Sequence, residues 1–410
     1  MKSVIFLGDG MSDYPVPELG GKTPLQAAKK PNMDRIAREG RTGLLQTVLP
    51  HQSQGSAVAN LAVLGYDPDE VYNGRAVLEA ANMGVELAPD DVALRCNLIC
   101  VEGGRIKNHS AGHITSEEAA ILIADLDRVL GGDHNGVTVR FFSGVSYRHL
   151  TVLTGKSASP ALILAPPHDH VGETVESLAP KAKIAEAEAT ARLLIDLLAR
   201  AEAFLKDHPV NKKRIAAGKD AANSVWFWSA GRKPVMKTFQ ERFGVHGAVI
   251  SAVDLVMGLG LYAGMDVVRV EGATGLWDTN YEGKADACLK ALDTHDFVYV
   301  HVEATDEAGH ARDLAMKIKC IEMLDERLIG WVLSGIERKG LQCRVSVLPD
   351  HPTPVSTGVH ARDPVPVAVW TPGETRDSSS AYDEEQAKQG ALGLLKKDEF
   401  IKLALGIGRD

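Results

Sequence analysis

Three apolar runs in this chain each end in residues that bind cations, and this coincidence restricts the fold more than any other feature. Leu341 to Leu348 runs into Asp350 and His351, with His360 on the loop that follows. Phe297 to Val302 runs into Asp306 and His310, and the opening SVIFLGDG places Asp9 at the mouth of a third run. Short apolar runs bounded by Gly, Pro and Asp read as buried strands. In open α/β sheets, ligands gather outside the carboxyl ends of the strands, where all these residues fall. Helical and strand-like segments alternate along most of the chain, so the expected fold is α/β, with a mainly parallel sheet flanked by helices.

The punctuation of the chain sets the expected segments. Val4 to Leu7 is the first strand. Thr23-Pro24 and Pro31 to Asp34 open helices, the second ended by Gly40, and Ser56 opens an apolar helical segment that closes at Gly65. Past residue 87 the pattern changes to strands at Val92 to Val101, Val137 to Phe142 and Leu150 to Thr154, with a helix from Ser116 to Leu130 capped by Ser116. This stretch reads as an inserted α+β domain over 88–175, leaving 1–87 and 176–410 as the core. A long helix, Ala185 to Asp207, leads back, Asn223 to Ser229 resumes core-strand character, and 247–268 reads as a buried helix and turn.

Composition narrows the function classes. With 410 residues, 45% of them hydrophobic, the chain can bury one large core and a smaller one. A formal net charge of -9 argues against broad nucleic-acid binding, which rewards a basic surface. The most lipid-like segment, 247–268, carries Asp254, Asp266 and several glycines, so no membrane span is expected. The N-terminal apolar stretch is too short for a secretory signal. The five cysteines, Cys96, Cys100, Cys288, Cys320 and Cys343, form no CxxC pair and suit buried thiols in a reducing cytoplasm. Association into a homo-oligomer is left open.

Taken singly, each ligand candidate has an ordinary explanation: an Asp-His at a strand end caps a helix, and a DxxxH on a helix is a surface ion pair. Together they supply what a two-metal phosphoryl-transfer site requires. Asp306 and His310 lie one turn apart if a helix starts after Glu303-Ala304-Thr305, so both can face one ion. Two divalent ions about 4 Å apart repel by about 17 kcal/mol at an effective dielectric of about 20. Asp9, Asp306 and Asp350 supply three compensating charges, and an ionised Ser56 hydroxyl in QGSAVAN would supply a fourth. Ser56 follows Gly55 at a helix start, so it reads either as a nucleophile at the positive helix end or as a plain cap. No GxxxxGK[ST] loop is present, which disfavours an ATP-binding reading.

The motifs IFLGDGMSD, GKTPLQAAKKPNMDRIAREG, QGSAVANLAVLGYDP, YNGRAVLEA, HVEATDEAGH and PDHPTP with STGVHARDPVPVAVW span nearly the whole chain. Over that length it resembles the archaeal-type cofactor-independent phosphoglycerate mutases of the alkaline phosphatase superfamily. The resemblance implies an alkaline-phosphatase-like core interrupted by a water-excluding cap. It implies one ion on Asp306, His310 and His360, and another on Asp9, Ser56, Asp350 and His351. Mn²⁺ is the usual assignment, with Zn²⁺ or Co²⁺ feasible, and no 2,3-bisphosphoglycerate is required. The implied reaction interconverts 3- and 2-phosphoglycerate, a small phosphorylated substrate, through phosphoserine at Ser56. His109 and His113 in NHSAGH are then candidates for proton transfer, and Arg75, Arg232, Lys233 and Lys284 for substrate binding. Two departures stand out: Ala57 occupies a position that is usually acidic, and NHSAGH replaces an arginine-bearing loop. The histidine form resembles a bacterial branch sometimes proposed to contain homoserine kinases, so a phosphotransferase or a phosphatase is the alternative.

Overall fold

Strand Lys2–Gly8 is buried along nearly its whole length because its sequence, KSVIFLG, is apolar on both faces. It lies fourth in an eight-stranded sheet, ordered Asp266–Val268, Gly247–Ile250, Phe297–Val302, Lys2–Gly8, Cys343–Leu348, Val365–Trp370, Arg41–Leu45 and Leu394–Leu395. The first five strands are mutually parallel, and Val365–Trp370 runs antiparallel to both of its neighbours. Its reversed direction starts it at the edge where the parallel strands end, so the preceding loop, which carries His360, belongs to that edge. Val4 and Phe6 pack into one cluster with Met33, Ile36, Cys288, Leu292 and Ile336 from the covering helices, while Ile5 and Leu7 are equally buried on the other face. Each such side chain contributes roughly 1.5–3 kcal/mol of burial.

The computed structural model describes residues 1–408. The chain divides into two compact units, Met1–Tyr72 with the chain from Met236 onward, and Asn73–Val235. The second unit is built on an antiparallel sheet ordered Ser224–Arg232, Val92–Glu102, Arg148–Thr154, Val137–Phe142 and Gly132–His134. Helices Ser116–Leu130 and Glu188–Leu205 supply Leu122, Leu126, Leu194 and Leu197 to its core. All five cysteines are free and buried. Among the described residues no helix is long and apolar enough to cross a membrane.

Four details differ from expectation. Asn223 to Ser229 does not resume the core sheet: strand Ser224–Arg232 pairs with Val92–Glu102 inside the second unit. The compact insert therefore runs from Asn73 to Val235 rather than over 88–175, because its sheet needs that late strand. The helix from Ser116 is capped by Thr115, whose hydroxyl accepts from the Glu118 amide. Residues 247–268 form strand, helix and strand, with Gly247–Ile250 and Asp266–Val268 pairing in parallel around helix Asp254–Tyr262.

Candidate active site

The register of the core sheet aligns the ends of its strands. Gly8 pairs with Val302 and Leu7 with Leu348, so Asp9, Glu303 and Asp350 leave the sheet at nearly the same height. Asp9 and Asp350 are fully buried, Asp306 nearly so, and among the described residues no lysine or arginine forms an ion pair with any of the three. Asp350 accepts from the Gly10 amide (3.2 Å), from its neighbour His351 N (2.9 Å) and, through Oδ2, from Asn60 Nδ2 (2.9 Å). Asp9 Oδ2 meets His301 Nε2 at 2.9 Å, while its Oδ1 is buried without a hydrogen bond. Burial first, and then the charges of Asp350 and Glu303, push the Asp9 carboxyl well above its ordinary value.

Helix Ala304–His310 begins directly at the strand end and sets Asp306 and His310 on one face. Asp306 Oδ2 lies 3.0 Å from His310 Nε2, Oδ1 lies 3.4 Å from His360 Nε2, and the Thr353 hydroxyl donates to Oδ1. Burial alone would raise the Asp306 pKa, but the hydrogen bonds with His310 and His360 outweigh it and hold the carboxyl well below the usual range. The Asp306 hydrogen bond in turn lifts His310 to about 9.

Ser56 opens helix Ser56–Val63, but Gly55 is the N-cap and no side chain caps the helix. The serine hydroxyl is therefore not consumed as a cap; it lies 3.3 Å from His351 Nε2. Asn60, one turn along, donates to the Ser56 carbonyl (2.8 Å) and to Asp350, and accepts from Tyr299 OH at 2.6 Å.

These residues fit a cation-holding role on structural grounds. The ligand atoms of Asp9, Asp350 and His351 lie within 4.8 Å of one another, as do those of Asp306, His351 and His360, and of Asp9, His301 and Glu303. Asp9 Oδ1 and Glu303 Oε2 are buried without hydrogen bonds. His310 Nδ1 donates to the Gly358 carbonyl (2.9 Å), so its Nε2 carries the lone pair in the neutral ring and faces His360 Nε2 at 2.9 Å. Imidazole and carboxylate together suit Mn²⁺, Zn²⁺ or Co²⁺.

The other candidates lie elsewhere. Lys284 is fully buried, its ammonium donates to the His301 carbonyl at 3.0 Å, and burial lowers its pKa to about 8. It supports a strand end and offers no contact to a solute, which corrects its reading as a substrate group. His109 and His113 sit in the insert, edge-on to Tyr147 at 5.8 and 6.3 Å. His109 also meets His168 (6.2 Å), which meets Trp228 (5.3 Å), whose ring lies under Arg95. Arg95 and Arg75 share Glu79 at 2.9 and 3.1 Å, so these groups form one patch within the insert. Arg232 donates to the Ala158 carbonyl at 2.7 Å, and Lys233 is exposed. His301, Glu303, Asn60 and Thr353 were not anticipated; a lone Asn inside the apolar helix SAVANLAV was the available signal, since a buried amide needs partners.

A parallel α/β core with acid and imidazole groups at its carboxyl edge, interrupted by an antiparallel α+β insert, defines the class to which the protein belongs. The family model for 2,3-bisphosphoglycerate-independent phosphoglycerate mutase matches residues 37–211. The chain is 48% identical to the mutase of that name from Methanosarcina acetivorans, over 99% of this chain and 100% of the relative. A solved Pyrococcus horikoshii protein superposes with a TM-score of 0.83 at 29% identity, covering 100% of this chain and 98% of that one. The cofactor-independent phosphoglycerate mutase from Thermoplasma acidophilum does so at 0.69 and 28%, with 100% of both chains covered. The chain belongs to the 2,3-bisphosphoglycerate-independent phosphoglycerate mutase family.

Proposed function

We propose that the protein is an isomerase that interconverts 3- and 2-phosphoglycerate through phosphoserine at Ser56, without 2,3-bisphosphoglycerate. The observation that carries this reading is a serine hydroxyl free of capping duty beside a cluster of buried carboxylates that no described lysine or arginine pairs. Asp306, His310 and His360 would hold one divalent cation, and Asp9, Asp350, His351 and the Ser56 hydroxyl a second, with Mn²⁺ as the first candidate. Such ions supply Lewis-acid stabilisation of charge on the phosphoryl oxygens. The chain's own groups do the rest. Ser56 Oγ, at the positive end of its helix, attacks phosphorus as the bond to the substrate oxygen breaks. Asn60 ties the serine backbone to Asp350, which keeps the nucleophile in register. The second hydroxyl of the retained glycerate then takes the phosphoryl group from Ser56. For the insert, His109 and His113 are the proton-handling candidates, and Arg75, Arg232 and Lys233 the anion-binding ones.

An enolase-coupled assay with 3-phosphoglycerate and Mn²⁺, with no added bisphosphoglycerate, tests the proposal. Turnover that disappears in Ser56→Ala supports it. Phosphate release without isomerisation would make the protein a phosphatase, and homoserine-dependent transfer would make it a kinase.

A further inference from the structure

A second group of metal-binding side chains lies at the opposite, amino end of the core sheet. His246 directly precedes strand Gly247–Ile250, Asp266 begins strand Asp266–Val268, and His295 lies two residues before strand Phe297–Val302. These three strands are adjacent and parallel, with Asp266–Val268 at the sheet edge, so their starts converge on one place. Asp9, Asp306 and Asp350 all follow the carboxyl ends of their strands, so this group is separate from the candidate active site.

We infer that His246, Asp266 and His295 form a binding site for a divalent transition-metal cation of the zinc type, one that ties together the amino ends of three parallel strands. Their ligand atoms lie within 4.8 Å of one another. His246 Nε2 and His295 Nε2 both approach the same oxygen, Asp266 Oδ2, at 3.4 and 3.0 Å. Ligands bound at about 2.0–2.1 Å to a tetrahedral ion stand roughly 3.3 Å apart, so these separations match the edges of such a tetrahedron.

The setting of His295 points the same way. Its Nδ1 lies 3.1 Å from the Ala291 carbonyl and 2.9 Å from the Thr294 hydroxyl, so the far nitrogen of the ring is held by two neighbours. Its Nε2 is thereby aimed at Asp266 Oδ2, 3.0 Å away. A backbone carbonyl fixing the far nitrogen is the usual support of a metal-bound histidine. His246 stacks on His295 with ring centroids 4.5 Å apart and planes 23° apart, a poor arrangement for two imidazolium rings. His295 also caps the C-terminus of the fourteen-residue helix Tyr281–Thr294, whose negative end favours a cation. The backbone of His246 is held as well: its amide donates to Asp296 Oδ2 at 3.0 Å, and its carbonyl accepts from the Asp296 amide at 2.9 Å. Two imidazoles and one carboxylate leave a fourth position for water, and this ligand set suits Zn²⁺ better than Mg²⁺ or Ca²⁺.

The test counts Zn²⁺ bound per full-length chain after equilibration and gel filtration, for the wild type, His246→Gln and Asp266→Asn. Active-site binding is common to all three, so the difference isolates this site. The expected result is one equivalent fewer in each variant, together with a Zn²⁺-dependent rise in melting temperature that is larger for the wild type. His246 is half exposed and its substitution leaves the fold intact, which circular dichroism checks. Equal zinc counts in the wild type and folded His246→Gln would overturn the inference and leave a protonated His–Asp pair. Loss of isomerase activity is not the readout, so failure here and failure of the proposed reaction are distinguishable.

Discussion

The two units of this chain bury charge in opposite ways. In the insert, buried cations meet acids and carbonyls: Arg214 donates to Glu118, to the Ala111 carbonyl at 2.6 Å and to the Asp220 carbonyl at 2.9 Å. The buried His208 ring lies 3.0 Å from Asp125 Oδ2. In the core, Asp9 and Asp306 are buried with histidine rings as their main partners, Asp350 with amides, and Asp9 keeps one oxygen unbonded. The core's lysines do not relieve this, since Lys317 is committed to Asp13 at 2.8 Å and Lys284 to a carbonyl. Buried charge is costly unless compensated, so a fold that gathers acids away from lysine and arginine at one place suits a cation that would complete them. The insert spreads its buried charge over separate pairs; the core's carboxyl edge gathers three buried acids in one place.

Removing the proposed nucleophile gives the largest expected effect. Ser56→Ala should lower isomerase turnover by about 10⁴-fold or more, as loss of a nucleophile does elsewhere. Stability should change little, because Ser56 caps nothing. A comparable fall in melting temperature would show that the hydroxyl is structural after all. In the insert the balance reverses. Arg214→Met should cost about 3 kcal/mol of stability, because it strands two carbonyls and Glu118, and urea unfolding followed by tryptophan fluorescence would measure it. An unchanged midpoint would remove the claim that Arg214 holds the insert together through its three partners.

What the sequence disclosed follows the same division. Asp9, Asp306, Asp350 and His351 were readable because each stands just past an apolar run, where a polar residue breaks a strong pattern. His301 was not, since it lies inside the fully buried FVYVHV and looks like a core histidine. Glu303 and Thr353 matter only through partners distant in sequence, which no local period reveals. Strand Ser224–Arg232 looked like a core strand because SVWFWSA is apolar whichever sheet receives it, and the insert boundary moved with it. Residues 247–268 failed for a related reason: GAVI is four residues long, too short for its period to separate strand from helix.

Cation removal addresses the contrast directly. Adding a divalent ion at about 100 times its dissociation constant should stabilise the unit that binds it by about 2.7 kcal/mol, and a chelator should reverse this. Hydrogen exchange should show the protection at Asp9, Asp306 and Asp350 and their neighbours, with the insert strands Val92–Glu102 and Arg148–Thr154 unaffected. Equal protection in both units would mean that the acids at the sheet edge are not what the ion completes.

The smallest effect comes from acid, and it should appear in the insert. His149 on strand Arg148–Thr154 is almost wholly buried; its Nδ1 accepts from the Gly144 amide at 3.1 Å and its Nε2 has no partner. Burial lowers its pKa from 6.5 to about 3. The unfolded chain therefore binds a proton near pH 6.5 that the folded insert refuses. The stability that the neutral ring contributes is full above that pH, and it declines as the pH falls toward 3. By pH 5.5 the loss should be about 1.4 kcal/mol, the cost of the unfolded state's protonation one unit below its pKa. Unfolding followed at pH 7.5 and 5.5 for the wild type and His149→Asn would measure it. The variant should lose this share of the pH dependence even if it is less stable overall, because Asn cannot take up the proton. If both proteins kept the same slope, His149 would not be the group that makes the insert sensitive to acid.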